Sequence, residues 1–167
     1  QISLDGTSAV APNQLTPLPP LPSGDVVSVL APDATQQLGT GGRLWPAAAA
    51  LCRWMRSVEH PPSATWDQPM AGLHVLELGC GCGAVGIYAA ALGAQVTLTE
   101  GGGEAATGHT DNDGVNGLLR LAEGNAGRNG LSDRCALREH SWGELDASLL
   151  PTELDYVLGS DVTFNRE

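Results

Sequence analysis

Three alternating glycines, Gly79, Gly81 and Gly83, follow the apolar run Val75-Leu76-Glu77-Leu78, and a segment of small residues begins at Ala84. A strand that turns on glycine and enters a helix can hold a ligand. Without Cβ atoms the backbone approaches the ligand closely, and the helix start offers unpaired N–H groups. Two carboxylates flank the turn: Glu77 stands just before Gly79, and Glu100 ends the next apolar run. Gly81-x-Gly83-x-x-Gly86 with Glu100 satisfies the dinucleotide fingerprint, in which the acid holds a ribose. Glu77 argues for a different ligand. A carboxylate beside the turn attracts the ammonium of an amino-acid-bearing cofactor such as S-adenosylmethionine and repels a pyrophosphate. A glycine turn without a ligand, with Glu77 simply exposed, is the third reading.

The elements that must position these groups are legible as an alternation of strands and helices. Residues 73–78 read as a strand and 84–92 as a helix closed by Gly93. Strand 95–99, helix 118–129 capped by Gly130, strand 134–140 and the buried-type strand 155–160 follow. The pattern predicts an α/β fold with a parallel sheet. Upstream, 26–30 reads as a short strand and 39–42 as a glycine-rich turn. Residues 44–58 read as a helix with Pro46 in its first turn and Leu51, Trp54, Met55 and Val58 on its apolar face. Residues 1–24 are rich in Pro and Ser and read as a disordered linker. Their PxxP spacing would suit a polyproline ligand, but no Arg or Lys flanks it. In the tract 101–117, six of seventeen residues are Gly, which reads as a disordered insertion.

Composition narrows the partners. Asp and Glu number 19 against 8 basic residues, all of them Arg, for a net charge of −11. Phosphate backbones attract basic surfaces, so nucleic acid is not an expected partner. No apolar run approaches the roughly 20 residues of a membrane span, so no membrane partner is expected either. The cysteines Cys52, Cys80, Cys82 and Cys135 form no CxxC pair, so no metal site is expected and free thiols in a reducing compartment are. The chain begins at Gln1 rather than Met and ends at Glu167, shortly after the last strand-like run. It is therefore expected to be part of a longer protein.

Five stretches resemble the seven-β-strand S-adenosylmethionine-dependent methyltransferases, in their protein-lysine branch (methyltransferase family 16, methyltransferase-like 21). They are Gly41-Gly42-Arg43-Leu44-Trp45-Pro46-Ala47-Ala48, the turn from Glu77 to Gly83, Val96-Thr97-Leu98-Thr99-Glu100, Ser141-Trp142-Gly143, and the run from Asp155 to Phe164 with its Asp161 signature. The resemblance covers residues 26–164 and implies a Rossmann-like fold with a partial sheet of strand order 3-2-1-4. It implies methyl transfer from S-adenosylmethionine to a lysine side chain of a protein substrate, in the cytoplasm or nucleus. Carried over by position, Glu77, Gly79, Gly81 and Gly83 would cradle the methionine end of the cofactor, and Glu100 would accept both ribose hydroxyls. Trp45 would close over the cofactor. Trp142 would sit beside the adenine or serve as a core aromatic. Asp161 would line the cofactor and lysine channel, and Phe164 would wall it.

Some positions depart from the pattern. Glu100 replaces the commoner Asp, Ser141 stands where an Asp often accepts the adenine amino group, and Phe164 lacks the hydroxyl of the frequent Tyr. His109 and His140 are general-base candidates by residue type alone. The alternatives to a lysine methyltransferase are a small-molecule methyltransferase, an inactive remnant of the family and, more distantly, a nicotinamide enzyme. In the family the fourth strand is interior. If it becomes an edge here, these residues alone are expected to aggregate or pack poorly and to lack activity.

Overall fold

The computed structural model describes residues 15–32, 38–57, 69–101, 113–141, 143 and 153–163. Four parallel strands form its centre: β3 (His74–Leu78), β4 (Gln95–Glu100), β5 (Cys135–Glu139) and β6 (Tyr156–Leu158). Two further strands, β1 (Leu15–Pro17) and β2 (Ser28–Leu30), pair antiparallel as a separate hairpin. The central order is β5-β4-β3-β6, the 3-2-1-4 arrangement that the resemblance implies. Register places Val75, Val96 and Cys135 side by side, and Glu77, Leu98 and Leu137 two residues on. Period-2 alternation gives these residues one face of the sheet. All but Glu77 belong to the hydrophobic core or pack against it.

Helix α2 (Ala84–Ala91) joins β3 to β4 and packs on both, and on α1 (Pro46–Met55) and α3 (Asp113–Arg128). Enclosed in this way, it has no polar stripe: every residue from Ala84 to Ala90 is buried. Gly93 and Gly130 close α2 and α3 as expected. Ala94 N–H donates to Ala89 O and Gly93 N–H to Ala90 O; Leu131 N–H donates to Ala126 O and Gly130 N–H to Gly127 O. Both pairs are the doubly bonded Schellman ending, which needs the positive φ of 108° at Gly93 and 68° at Gly130.

Helix α1 keeps Pro46 in its first turn but starts there, two residues after the expected 44, and its buried face is Ala48, Cys52 and Met55; Val58 lies outside the described residues. Trp54 is exposed and meets Tyr156 edge-on, with ring centroids 6.3 Å apart. Helix α3 begins at Asp113, before the expected 118, and so takes in the end of the glycine tract. Gly117 belongs there because a Cβ would stand 2.6 Å from Leu38 Cδ2. The stretch 102–112 lies outside the described residues.

The expectation of a linker through residue 24 does not hold for 15–24. Thr16 pairs with Val29, and Leu18 N–H donates to Val27 O at 2.8 Å. Leu18 is buried in the core and Leu21 packs against it, while the Tyr88 hydroxyl donates to Pro20 O at 3.2 Å. Composition hid this, because apolar anchors are interleaved with the prolines. A proline brings no N–H that a ladder must satisfy, so the segment can lie on the core with few backbone partners. Residues 1–14 lie outside the described residues.

Gly86 shows how closely α2 sits on the sheet. A Cβ there would collide with Leu98 Cδ2 and stand 2.6 Å from Glu77 Oε2. Alanine in place of glycine inside a helix normally gains about 0.5–1 kcal/mol. Overpacking a filled core costs about 1–3 kcal/mol, which outweighs that gain. Gly86→Ala should therefore lower unfolding stability by about 1–2 kcal/mol net in urea titration; a stabilised variant would contradict this packing.

Candidate functional site at the carboxyl edge of the sheet

The turn between β3 and α2 is built on three left-handed glycines, Gly79 (φ 64°), Gly81 (φ 53°) and Gly83 (φ 77°). Cys80 N–H donates to Thr99 O at 2.8 Å, tying the turn to the end of β4, and Gly83 N–H donates to Cys80 O at 2.7 Å. The spacing places the side chains of Cys80 and Cys82 in the core. Burial holds the Cys80 thiol well above its usual range, and pushes Cys82 and Cys135 to about 11 and Cys52 to about 12. Metals and electrophiles are met by thiolates, and these thiols keep their protons. Among the described residues no group of three or more His, Cys, Asp or Glu is placed to hold a metal ion.

Glu100 meets the turn directly. Its Oε2 accepts Gly81 N–H at 2.8 Å and its Oε1 accepts Gly101 N–H at 3.3 Å. Burial raises its pKa, and these two N–H groups partly offset the rise. The acid at the end of β4 and the glycine turn are thus brought to one point, as the spacing predicts.

Glu77 is placed differently from the expectation. It is 2% exposed and lies on the helix-covered face of β3, where Oε2 accepts Gly86 N–H at 2.8 Å. Its backbone carbonyl accepts the Thr99 hydroxyl at 2.6 Å. Burial, with a smaller contribution from the Glu100 charge, raises its pKa from 4.5 to about 8. The reading from sequence needed a charged acid at the mouth of the turn. Alternation instead carries Glu77 under α2, and Glu100 is the carboxylate bonded to the turn.

The upstream glycines pack onto the same point. Gly41 O would stand 2.5 Å from a Cβ on Gly81, and a Cβ on Gly41 would stand 2.7 Å from Leu118 Cδ1. Trp45 caps the start of α1, is 39% exposed, and donates its indole N–H to Thr40 O at 3.1 Å. The Arg43 guanidinium lies 5.2 Å from its ring centroid. Trp45 is therefore anchored to the segment that covers the turn. Asp161 follows β6 at the same edge, exposed, with φ 53°. Asp is one of the few side chains that visit this region. His140 continues β5, with its N–H donating to Glu100 O at 2.9 Å. Trp142, Phe164 and His109 lie outside the described residues. A cavity of about 390 Å³ opens among His74, Gln95 and Arg134 at the opposite edge, and it contains none of the expected site residues.

Reading the sequence missed Asn125. Its Nδ2 donates to Cys82 O and to Leu30 O, both at 2.9 Å. The available signal was an amide at buried spacing in the stripe Leu118, Ala122, Ala126.

Residues 27–167 match the family described as lysine methyltransferase. The chain belongs to this family. Protein N-lysine methyltransferase METTL21A of Mus musculus is 31% identical over 134 residues, covering 77% of this chain and 50% of that protein. EEF1A lysine methyltransferase 3 of Mus musculus is 34% identical over 132 residues, covering 77% and 46%. The chain spans about half the length of these curated relatives. Among solved structures, a SAM-dependent methyltransferase from Agrobacterium tumefaciens aligns with a TM-score of 0.48 at 19% identity, covering 79% of this chain and 33% of that one.

Glu77 makes stability depend on pH. With its folded pKa at about 8 against 4.5, the folded state keeps a proton that the unfolded chain releases. The stabilisation is full below 4.5 and is lost as pH rises through about 8. Glu77→Gln cannot ionise, so its melting temperature should fall less across that window than the wild type's in scanning calorimetry. Glu100 shifts in the same direction, so the comparison between the two proteins isolates Glu77. Parallel curves would mean that Glu77 titrates as an ordinary carboxylate.

Proposed function

We propose that this chain carries the S-adenosylmethionine site of a protein-lysine methyltransferase, which moves a methyl group to the side-chain amine of a lysine in a protein substrate. The observation that carries the reading is the bond between Glu100 and Gly81 N–H at the end of β4. An ionised carboxylate has about four acceptor sites. Two are taken by Gly81 N–H and Gly101 N–H. The remaining two suit a pair of vicinal hydroxyls, as on a ribose. The turn is backbone alone at Gly79, Gly81 and Gly83, which fits a ligand lying close to it. Membership of the lysine methyltransferase family supports lysine as the acceptor, and the names of both relatives agree with it.

S-adenosylmethionine, when bound, supplies a methyl group already carried on a sulfonium, together with a positive charge. The residues of the chain then have to align the acceptor more than activate it. Glu100, half-buried and doubly bonded to backbone, fixes the ribose end without moving. Asp161 stands at the edge where ligands bind in open α/β sheets, and we assign it to orienting the lysine nitrogen. A free lysine amine holds its proton up to a pKa of about 10.4, and nearby positive charge and desolvation bring that down.

Calorimetry tests the cofactor assignment. The wild type should bind S-adenosylmethionine and not a nicotinamide dinucleotide, and Glu100→Ala should weaken binding by about 1–3 kcal/mol, the cost of leaving hydrogen-bonding groups unpaired. Unchanged affinity would remove the ribose role.

The acceptor side is tested at Asp161. Asn tolerates the left-handed backbone as Asp does, so Asp161→Asn should keep a native circular dichroism spectrum. It should lose at least tenfold in transfer of tritiated methyl to a lysine-bearing protein, about 1.4 kcal/mol in the barrier. Wild-type turnover in this variant would sink the assignment.

A further inference from the structure

Asn125 lies in α3 at 0% exposure, on a stripe otherwise made of Leu118, Ala122 and Ala126. Its amide is fully used. Nδ2 donates to Leu30 O and Cys82 O, and Oδ1 accepts Leu30 N–H at 2.8 Å and an Arg128 guanidinium N–H at 3.3 Å. An amide offers two donors and two lone pairs, so no capacity is left over. Asn129, one helical turn on, makes the same clamp on Ser28: its Oδ1 accepts Ser28 N–H at 3.1 Å and its Nδ2 donates to Ser28 O at 2.8 Å. Its remaining bond runs to Asn125 O within the helix. Apart from bonds within α3 and its end, the difference between the two asparagines is the bond to Cys82.

The Cys82 carbonyl shares a rigid peptide plane with Gly83 N–H. Gly83 is left-handed and caps the start of α2, and its N–H closes the turn on Cys80 O at 2.7 Å. Fixing the carbonyl therefore fixes the direction of the N–H that follows it. A clamp that served only to seat the hairpin would stop at Leu30, as Asn129, apart from its bond back to Asn125 O, stops at Ser28.

We propose that Asn125 is a positioning residue for the cofactor turn: by bonding Cys82 O and both backbone groups of Leu30, it sets the orientation of the turn and makes that orientation depend on the seating of the N-terminal hairpin. The cofactor part of this statement rests on the functional reading above; the part about turn geometry does not.

The test compares Asn125→Ala with Asn129→Ala by amide hydrogen exchange and by calorimetry with S-adenosylmethionine. Both variants should speed exchange at residues 28–30, because each frees part of β2. Only Asn125→Ala should also speed exchange at residues 81–83, by about tenfold or more, the equivalent of one hydrogen bond. It should weaken S-adenosylmethionine binding by a similar factor, while Asn129→Ala binds as the wild type does. If Asn125→Ala does not fold, Asn125→Asp replaces it. That variant keeps volume and the acceptor for Leu30 N–H but removes both donors. Equal exchange at 81–83 in the two variants, or unchanged affinity in the Asn125 variant of a protein that binds the cofactor, overturns the proposal. A wild type that does not bind S-adenosylmethionine defeats the functional reading instead, and the exchange comparison then decides the positioning role by itself.

Discussion

At Gly81 two backbones meet. The carbonyl of Gly41 comes so near that a β-carbon on Gly81 would stand 2.5 Å from it. The same absence of room recurs around this point. Gly83 faces Ala122 at 3.0 Å and Gly41 faces Leu118 at 2.7 Å, each measured from the β-carbon it lacks. Three separate stretches of chain, the segment before α1, the turn after β3 and the buried stripe of α3, thus meet where these three glycines leave no room for a β-carbon. A side chain on Gly81 would have to be accommodated by shifting packed backbone, which costs far more than a rotamer change, whereas Gly41 and Gly83 face the side chains of Leu118, Ala122 and Ile87. The positions of Glu100, Trp45 and α2 follow from that junction, because each is bonded to one of its members or continues from it.

The two acids near the turn divide its tasks by depth. Glu77 is enclosed, and its raised pKa makes it largely a neutral hydrogen-bonding group at ordinary pH, contributing shape and the Gly86 bond more than field. Glu100 lies nearer to solvent with both oxygens on backbone N–H groups. Two full charges so close together would oppose one another in a poorly polarisable interior. Burying one acid and leaving the other near the surface relieves that opposition without removing either side chain.

What could be read from sequence was whatever repeats with a short period or ends on a glycine. The run into Gly79, the two glycine-ended helices and the alternation of strands needed only local pattern, and these gave a parallel sheet, while its β5-β4-β3-β6 order was legible through the family resemblance alone. What escaped depended on partners far along the chain. Leu15–Pro17 looks like linker until Ser28–Leu30 lies beside it. Asn125 looks like an ordinary helix residue until Leu30 and Cys82 surround its amide. Glu77 is legible as an acid beside the turn, but its spacing to Gly79 does not say which face of β3 it occupies. Phase alone would have grouped it with Val75 on the face that α2 covers.

The bonds that seat the hairpin join residues 95 and 101 positions apart in the chain. A ribosome adds about 5–20 residues per second, so β2 leaves it on the order of 5–20 s before its asparagine partners do. Throughout that interval the backbone groups of Ser28 and Leu30 have no native partner on that side. A bare strand edge of this kind recruits other chains unless something blunts it. Here the companion strand ends in Pro17, and Pro19, Pro20 and Pro22 follow it. Prolines cannot extend a ladder, so they limit pairing along the β1 edge of the hairpin, and the β2 edge is left for Asn125 and Asn129 to cover. The proline-rich composition that resembles a linker thereby blunts one edge of the hairpin, and α3 covers the other once it has been made.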